Sequence, residues 1–388
     1  MQKLTIIPCL LAMIFVLKGP ADLAQEDSKT SEILVADRKA QCPGASFYSI
    51  QEAVNAARRG DTIRVCQGEY AEQVVVRKSV KLVGDEGAVL VPQHMVKNAS
   101  SLSTGEPLAA AILVSDAEDV DVTGFTVDAR YNGLVGCTPR LIGILYQNAS
   151  GQIASNSVRH VRLDGSRSTC HSGNAIEVQS GNGGHSEVDI HDNSVDDYQM
   201  NAITGNGQGT NVGIDENEIT TSGPIERVSW NGIQVAFGAS GVIENNTVVA
   251  DLSPDASPSR CASNATGILV FESKGVYVLA NSIQSLQAGI LVAGNRTKIS
   301  GNNFSNCSPV HGIVVLGDEN EVTRNELSNG GEAAMFIRGE KNLIQINQVS
   351  GGSRGIIEVA YFWENLISDD AFIVEPAPMT TPKPTPSR

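Results

Sequence analysis

Aromatic side chains are scarce, at 5% of the 388 residues, with two tryptophans among them. A core of this chain must therefore be aliphatic, and the 38 glycines point to many tight turns. Basic residues are also few. The 28 Lys and Arg are outnumbered by 43 Asp and Glu, a net charge of −15. That argues against general nucleic-acid binding, which needs a basic footprint, and disfavours adsorption to anionic membranes. No apolar run reaches the length of a membrane-spanning helix, so the chain does not read as an integral membrane protein. No C-x-x-C pair is present, which argues against a zinc cluster. Helix-length periodic segments are missing, apart from one short stretch near residue 50.

What the chain does have is a phrase repeated eight times: aliphatic, two variable residues, Asn, one residue, apolar. It runs from Ile153–Asn156–Val158 through Ile190–Asn193–Val195, Ile214–Asn217–Ile219 and Ile243–Asn246–Val248 to Ile344–Asn347–Val349. The asparagines are 21 to 37 residues apart. Between copies lies a second phrase, a small residue followed by an aliphatic, as in Gly143-Ile144, Ala175-Ile176, Gly232-Ile233 and Gly289-Ile290. A fixed period of this size marks a repeat architecture. Short alternating strands without helices make each unit one coil of a parallel β-solenoid. Equivalent residues then stack at the spacing of paired strands, about 4.8 Å. Asparagine suits the bend because its amide can bond the copies above and below, and because it tolerates left-handed backbone. The L-x-x-L-x-L of a leucine-rich horseshoe is missing.

These repeats resemble the right-handed parallel β-helix family with the pectin-lyase-like fold, over roughly Ser46 to Val359. The resemblance implies an all-β, single-stranded right-handed parallel β-helix of about ten coils. Ser49 as N-cap and Glu52 as its capping-box partner place a short helix at Ile50–Ala57. It resembles the helix that closes the first coil in pectin methylesterases. The catalytic Gln-Asp and Val-Asp-Phe-Ile-Phe-Gly contexts of those enzymes are missing. So are the Asn-Thr-Asp, Gly-His-Gly and Arg-Ile-Lys elements of polygalacturonases, and the Asp-Pro-His-Glu of alginate epimerases.

Residues 1–24 read as a secretory signal, with Lys3 before the apolar run Leu4–Leu17 and small residues at Ala21 and Ala24. The expected location is secreted, periplasmic or cell-surface. A polar segment, 25–45, leads into a β-helix domain, 46–374, and a Pro-rich disordered tail, 375–388. Outside the signal, six cysteines remain, an even number that suggests disulfides. Sequential pairing is preferred: Cys42–Cys66, Cys137–Cys170 and Cys261–Cys307.

Four longer insertions interrupt the coils: Asp128–Arg140, Arg159–Gly173, Thr220–Ser229 and Ala250–Asn264. Loops of this kind are where solenoids build sites. The stretch Asp128–His171 holds five arginines against two acids, whereas Ser172–Glu226 holds ten acids and no Lys or Arg. Register predicts an outward column of His191, Asp215 and Glu244, with Asp192, Glu216 and Asn245 beside it. Stacked carboxylates repel, which raises a pKa or invites a cation. Asp192, Asp215 and Glu216 are the candidate calcium ligands. Asp196-Asp197 resembles the paired aspartates of polygalacturonases. Arg162 and His160 could act as carboxylate clamp and base in a β-elimination. The candidate catalytic set is therefore Arg162, His191, Asp196, Asp197, Asp215 and Glu244. His171 and His185 read as ordinary loop residues. A second outward column begins mixed (Leu145, Glu177, Thr204, Gln234) and turns apolar (Leu269, Leu291, Val314, Phe336). Its expected cover is the Tyr361–Val374 segment.

Two functions compete. One is a lyase or hydrolase acting on an acidic polysaccharide, with calcium as the one cofactor the residues point to. The other is a non-catalytic glycan-binding or cell-surface structural protein. A polysaccharide ligand is common to most of this ground.

Overall fold

The computed structural model describes residues 30–36, 42–164, 170–222, 230–251, 262–284, 286–305, 311–328, 333–350, 355–358, 365–368 and 370–373. The described residues from Ser31 to Ile373 form a right-handed parallel β-helix. Each coil contributes one strand to each of three sheets, here called A, B and C. One coil reads Arg140–Gln147 in sheet C, Ser150–Ala154 in sheet A and Ser157–Arg159 in sheet B. Among the described residues the sheets hold 13, 12 and 12 strands. Pairing is parallel throughout, except for the short strand Ala99–Ser100, which lies antiparallel to Pro107–Ser115.

The repeated aliphatics form the core because alternate residues on a strand face opposite ways. Ile153, Ile190, Ile214 and Ile243 are register neighbours in sheet A, and all four are fully buried. Val158, Val195 and Ile219 do the same in sheet B, and Ile144, Ile176 and Ile203 in sheet C. Each fully buried aliphatic contributes about 1.5–3 kcal/mol, so the three columns supply most of the driving force.

At the bend from sheet A to sheet B the asparagines stack as the repeat predicts. Asn193 is typical: its N–H and its Nδ2 both donate to Asn217 Oδ1, each at 3.0 Å, and Nδ2 also donates to Ile153 O at 2.8 Å. The same pattern continues through Asn246, Asn281, Asn302, Asn325 and Asn347, and ends on the carboxylate of Asp370. The expectation of left-handed backbone at these asparagines is corrected. Positive φ falls on the residue before each: Asp192, Glu216, Asn245 and Ala280, at 53° to 55°. The asparagine itself keeps ordinary backbone, because its role is to bridge coils with its amide. A second ladder, Asn320–Asn342–Asn365, was not foreseen in the repeat phrase.

The small residue of the second phrase has a packing cause. A Cβ on Gly232 would lie 2.7 Å from Gly267 O, with the Val248 side chain also in the way. Sheet C here runs so close to the inward valine of sheet B that even the Cβ of an alanine would force a shift.

The first coil is closed by the helix Ile50–Ala56, whose Ser49 Oγ accepts from Glu52 N. The reciprocal acid is Glu72, not Glu52. Its carboxylate accepts from Ile50 N, Gln51 N and the Ser49 hydroxyl at 2.7–3.0 Å. Glu32–Val35, inside the segment read as a polar lead-in, is a strand that pairs with Thr62–Val65 and starts sheet A. Disulfides join Cys42 to Cys66 and Cys137 to Cys170, as the sequential pairing expects. Cys261, Cys307, residues 1–29 and residues 374–388 lie outside the described residues. The Tyr361–Val374 segment, expected as a cover for the apolar column, instead continues the coils where it is described: Leu366–Ser368 pairs with Leu343–Gln345 in sheet A and Ala371–Ile373 with Gln348–Ser350 in sheet B. No helix among the described residues is long and apolar enough to cross a membrane.

Candidate functional site

All four insertions fall at one bend. Each connects a sheet B strand to the next sheet C strand: Thr126–Asp128 to Arg140–Gln147, Ser157–Arg159 to Asn174–Gln179, Glu218–Ser222 to Trp230–Ala236, and Thr247–Asp251 to Ala262–Lys274. Between the second and third of these, the connection from Ser194–Asp196 to Asn201–Asn206 is only four residues long. That short connection carries Asp197, and Asp196 closes the strand before it.

The charges of this bend converge. Asp128 is fully buried and is the register partner of Arg159. Its Oδ2 accepts from Arg159 Nε at 3.0 Å, and its Oδ1 accepts from Arg130 N at 3.1 Å. His160 Nδ1 stands 2.9 Å from the same Oδ1. Burial pushes the Asp128 carboxyl up, but the Arg130 amide, His160 and Arg159 together outweigh it, and its pKa is lowered. The other ring nitrogen of His160, Nε2, is 4.0 Å from Asp197 Oδ2. The Arg162 Nε is ion-paired with Asp197 Oδ1. Asp196 is half-buried beside this group. Burial raises its pKa, opposed by the charge of His160 and reinforced by the carboxylate of Asp197. Two carboxyls of one cluster are thus pushed in opposite directions, the arrangement that separates a proton donor from a fixed anion.

The six catalytic candidates divide. Arg162, Asp196 and Asp197 meet at the B-to-C bend with His160. His191, Asp215 and Glu244 form the expected column in sheet A, at the A-to-B bend. There His191 is engaged locally: Nδ1 is 2.8 Å from Asp192 Oδ2 and Nε2 is 3.3 Å from Gln152 Oε1. Asp215 accepts from Asn245 Nδ2 at 3.0 Å. Asp192 and Glu216 occupy the left-handed turn positions beside this column. Among the described residues no three His, Cys, Asp or Glu side chains converge in a way that could hold a metal ion.

A polar window on the outer face of sheet C was missed. The column of Glu177, Thr204 and Gln234 reads as mixed, and nothing in that spelling says that it is buried. The missed signal is a triplet of strands that begin alike, Asn174-Ala-Ile-Glu177, Asn201-Ala-Ile-Thr204 and Asn231-Gly-Ile-Gln234. All six polar residues are at most 8% exposed. The later apolar stripe is in register as expected, from Leu269 through Leu291 and Val314 to Phe336.

Comparison with known proteins supports the fold. Residues 253–376, about a third of the chain, match the family described as periplasmic copper-binding protein (NosD). That segment contains one histidine, His311, one methionine, Met335, whose side chain lies in the core, and two cysteines, Cys261 and Cys307, which lie outside the described residues. Copper takes imidazole, thiolate and thioether ligands, and the described residues of the segment assemble no such set. The residues described here do not fit a bound copper ion. No curated protein matches the chain. Among solved structures, a lacto-N-biosidase from Eubacterium ramulus is 12% identical with a TM-score of 0.61, over 88% of this chain and 68% of its own. The A-module of a mannuronan C-5 epimerase from Azotobacter vinelandii is 13% identical with a TM-score of 0.55, over 84% and 92%. An exopolygalacturonase from Thermotoga maritima is 11% identical with a TM-score of 0.56, over 83% and 86%. At these identities the likeness is one of fold.

Proposed function

We propose that this is an exported protein that binds an acidic polysaccharide across the B-to-C bend and cleaves it by proton transfer at the glycosidic bond. The observation that carries the reading is Asp196. It is a half-buried carboxyl with a raised pKa, beside Asp197, which is ion-paired with Arg162. A group poised in this way can give a proton to a leaving oxygen. Arg130, Arg159 and Arg162 line the same bend, each 35–38% exposed at its side chain. They supply the fork-shaped donors that recognise uronate carboxylates. The similar folds of a lacto-N-biosidase, a mannuronan C-5 epimerase and an exopolygalacturonase agree with a glycan as ligand. An apolar run and small residues at the amino end agree with export.

Binding without turnover is the second reading. It is favoured by the sequence, which carries none of the catalytic elements of the methylesterases, polygalacturonases or epimerases.

The test is incubation of the protein with polygalacturonate, alginate and other uronate polymers, with and without calcium. Absorbance from unsaturated ends reports elimination, and new reducing ends report hydrolysis. Products that vanish in Asp196→Asn support cleavage. Retention on immobilised uronate without products leaves the binding reading. Neither products nor retention would overturn both.

A further inference from the structure

We propose that the C-to-A bend carries a site for a free α-amino acid with a polar side chain. It lies at the other end of the sheet C strands from the insertions, and it does not rest on the reading above.

A cavity of about 350 Å³ opens at this bend, within the size range of small-molecule sites. Three successive turns form it. The first joins Pro107–Ser115 to Val120–Thr123 and brings Asp116 and Glu118. The second joins Arg140–Gln147 to Ser150–Ala154 and brings Asn148; the third joins Asn174–Gln179 to Ser186–His191 and brings His185. At strand spacing these turns span about 10 Å. Arg59 enters from the loop after the capping helix. That loop is docked through Ser79, whose carbonyl accepts from Gly60 N at 2.9 Å and whose hydroxyl donates to Asp119 O at 3.2 Å. Ala117 and Ala149, both buried, give the cavity an apolar floor.

The charges here are unused. Arg59, Glu118 and His185 are exposed, and their side chains make no ion pair or hydrogen bond among the described residues. Asp116 shares only Oδ2, which accepts from the Ser115 hydroxyl at 2.7 Å. Asn148 Oδ1 accepts from Gly181 N at 3.1 Å, which leaves its Nδ2 as a donor. Along the neighbouring strands of sheet A such charges are paired, Arg64 with Asp85 and Lys81 with Asp121. Opposite charges thus border one cavity without neutralising each other. A simple anion would face Asp116 and Glu118, and a simple cation would face Arg59. Among the described residues no three donors converge on a metal position. A zwitterion satisfies both signs. Its carboxylate takes the forked guanidinium of Arg59, and its ammonium donates to Asp116 and Glu118. From that head group a side chain runs over the two alanines toward Asn148 and His185, on the next two turns. The amide donor and the imidazole suit a carboxamide or carboxylate at its end, as in glutamine or glutamate.

The experiment is calorimetric titration of the full chain with glutamine, glutamate and leucine. Two blocked forms are set against them: N-acetylglutamine, which lacks the ammonium, and glutaminamide, which lacks the carboxylate. Glutamine or glutamate should bind, more tightly than leucine, and neither blocked form should. Arg59→Ala and Glu118→Gln should each weaken binding about tenfold or more. Both side chains are exposed, and circular dichroism melts verify that the variants stay folded. The blocked forms test the same contacts on the unaltered chain. Saturation by neither glutamine nor glutamate at about 10 mM would overturn the proposal. So would blocked forms or leucine that bind equally well, or binding indifferent to Arg59→Ala.

Discussion

Asp128 Oδ1 and His160 Nδ1, from successive coils of the β-helix, meet at 2.9 Å. The carboxyl is fully buried and its native pKa lies below the ordinary value. A lowered native pKa contributes stability above the unfolded value, about 3.9, that is lost as pH falls through the native one. Asp61 has the same sign, because Ser31 N and Arg58 N both donate to it. The melting temperature should therefore fall steeply below about pH 4. Asp128→Asn should flatten that limb and cost about 1–3 kcal/mol at neutral pH. Circular dichroism melts across pH check both.

Asp196 has the opposite sign. Its raised pKa means that the protonated form is favoured in the native state, and that ionisation weakens the fold as pH rises through it. A donor in this role works only while protonated. Cleavage of uronates should decline on the alkaline side of that value, and Asp196→Asn should reduce it by about 10²–10⁴-fold. A kcat/KM profile against pH reads this directly. An alkaline limb that survives in Asp196→Asn would assign the proton elsewhere.

The amide ladder predicts a position effect. Asn246 is fully buried; its Nδ2 donates to Ile214 O, Glu244 O and Asn281 Oδ1, and its Oδ1 accepts from Asn217. Asn246→Ala leaves several buried groups unpaired and should cost about 2–4 kcal/mol. The terminal Asp370 accepts from Asn347 alone through Oδ1. Asp370→Asn keeps an acceptor there and should change stability by less than about 0.5 kcal/mol. Urea unfolding distinguishes the two. Equal losses would refute a ladder in which interior rungs bear more than the end.

Gly232 predicts a steric penalty. A valine there would press on Gly267 O and Val248, and should cost about 1–3 kcal/mol. Pairing Gly232→Val with Val248→Ala should recover part of that loss. A double-mutant cycle measures the recovery.

The architecture was legible because a β-helix writes itself linearly. Each Asn phrase is one A-to-B bend, and the aliphatics on either side of it are the inward positions of consecutive strands. Columns follow from that spelling, and His191, Asp215 and Glu244 are register partners as their spacing implies. The pairings Cys42–Cys66 and Cys137–Cys170 follow because each joins segments that are close along the chain. What the spelling does not contain is which bend a residue faces. His191 and Asp196, near neighbours in sequence number, belong to different sheets, because a turn of two residues separates the strands that carry them. The capping acid was misread for a related reason: Glu72 is one strand away in space but twenty-two residues from Ile50 in sequence. The sequence by itself determined the columns, since stacking repeats like over like. Only the tertiary structure decided that Asp128, His160, Arg162, Asp196 and Asp197 share a corner, and that Glu177 is buried though it points outward. Both depend on how irregular insertions fold back over regular coils, and an insertion has no period to read.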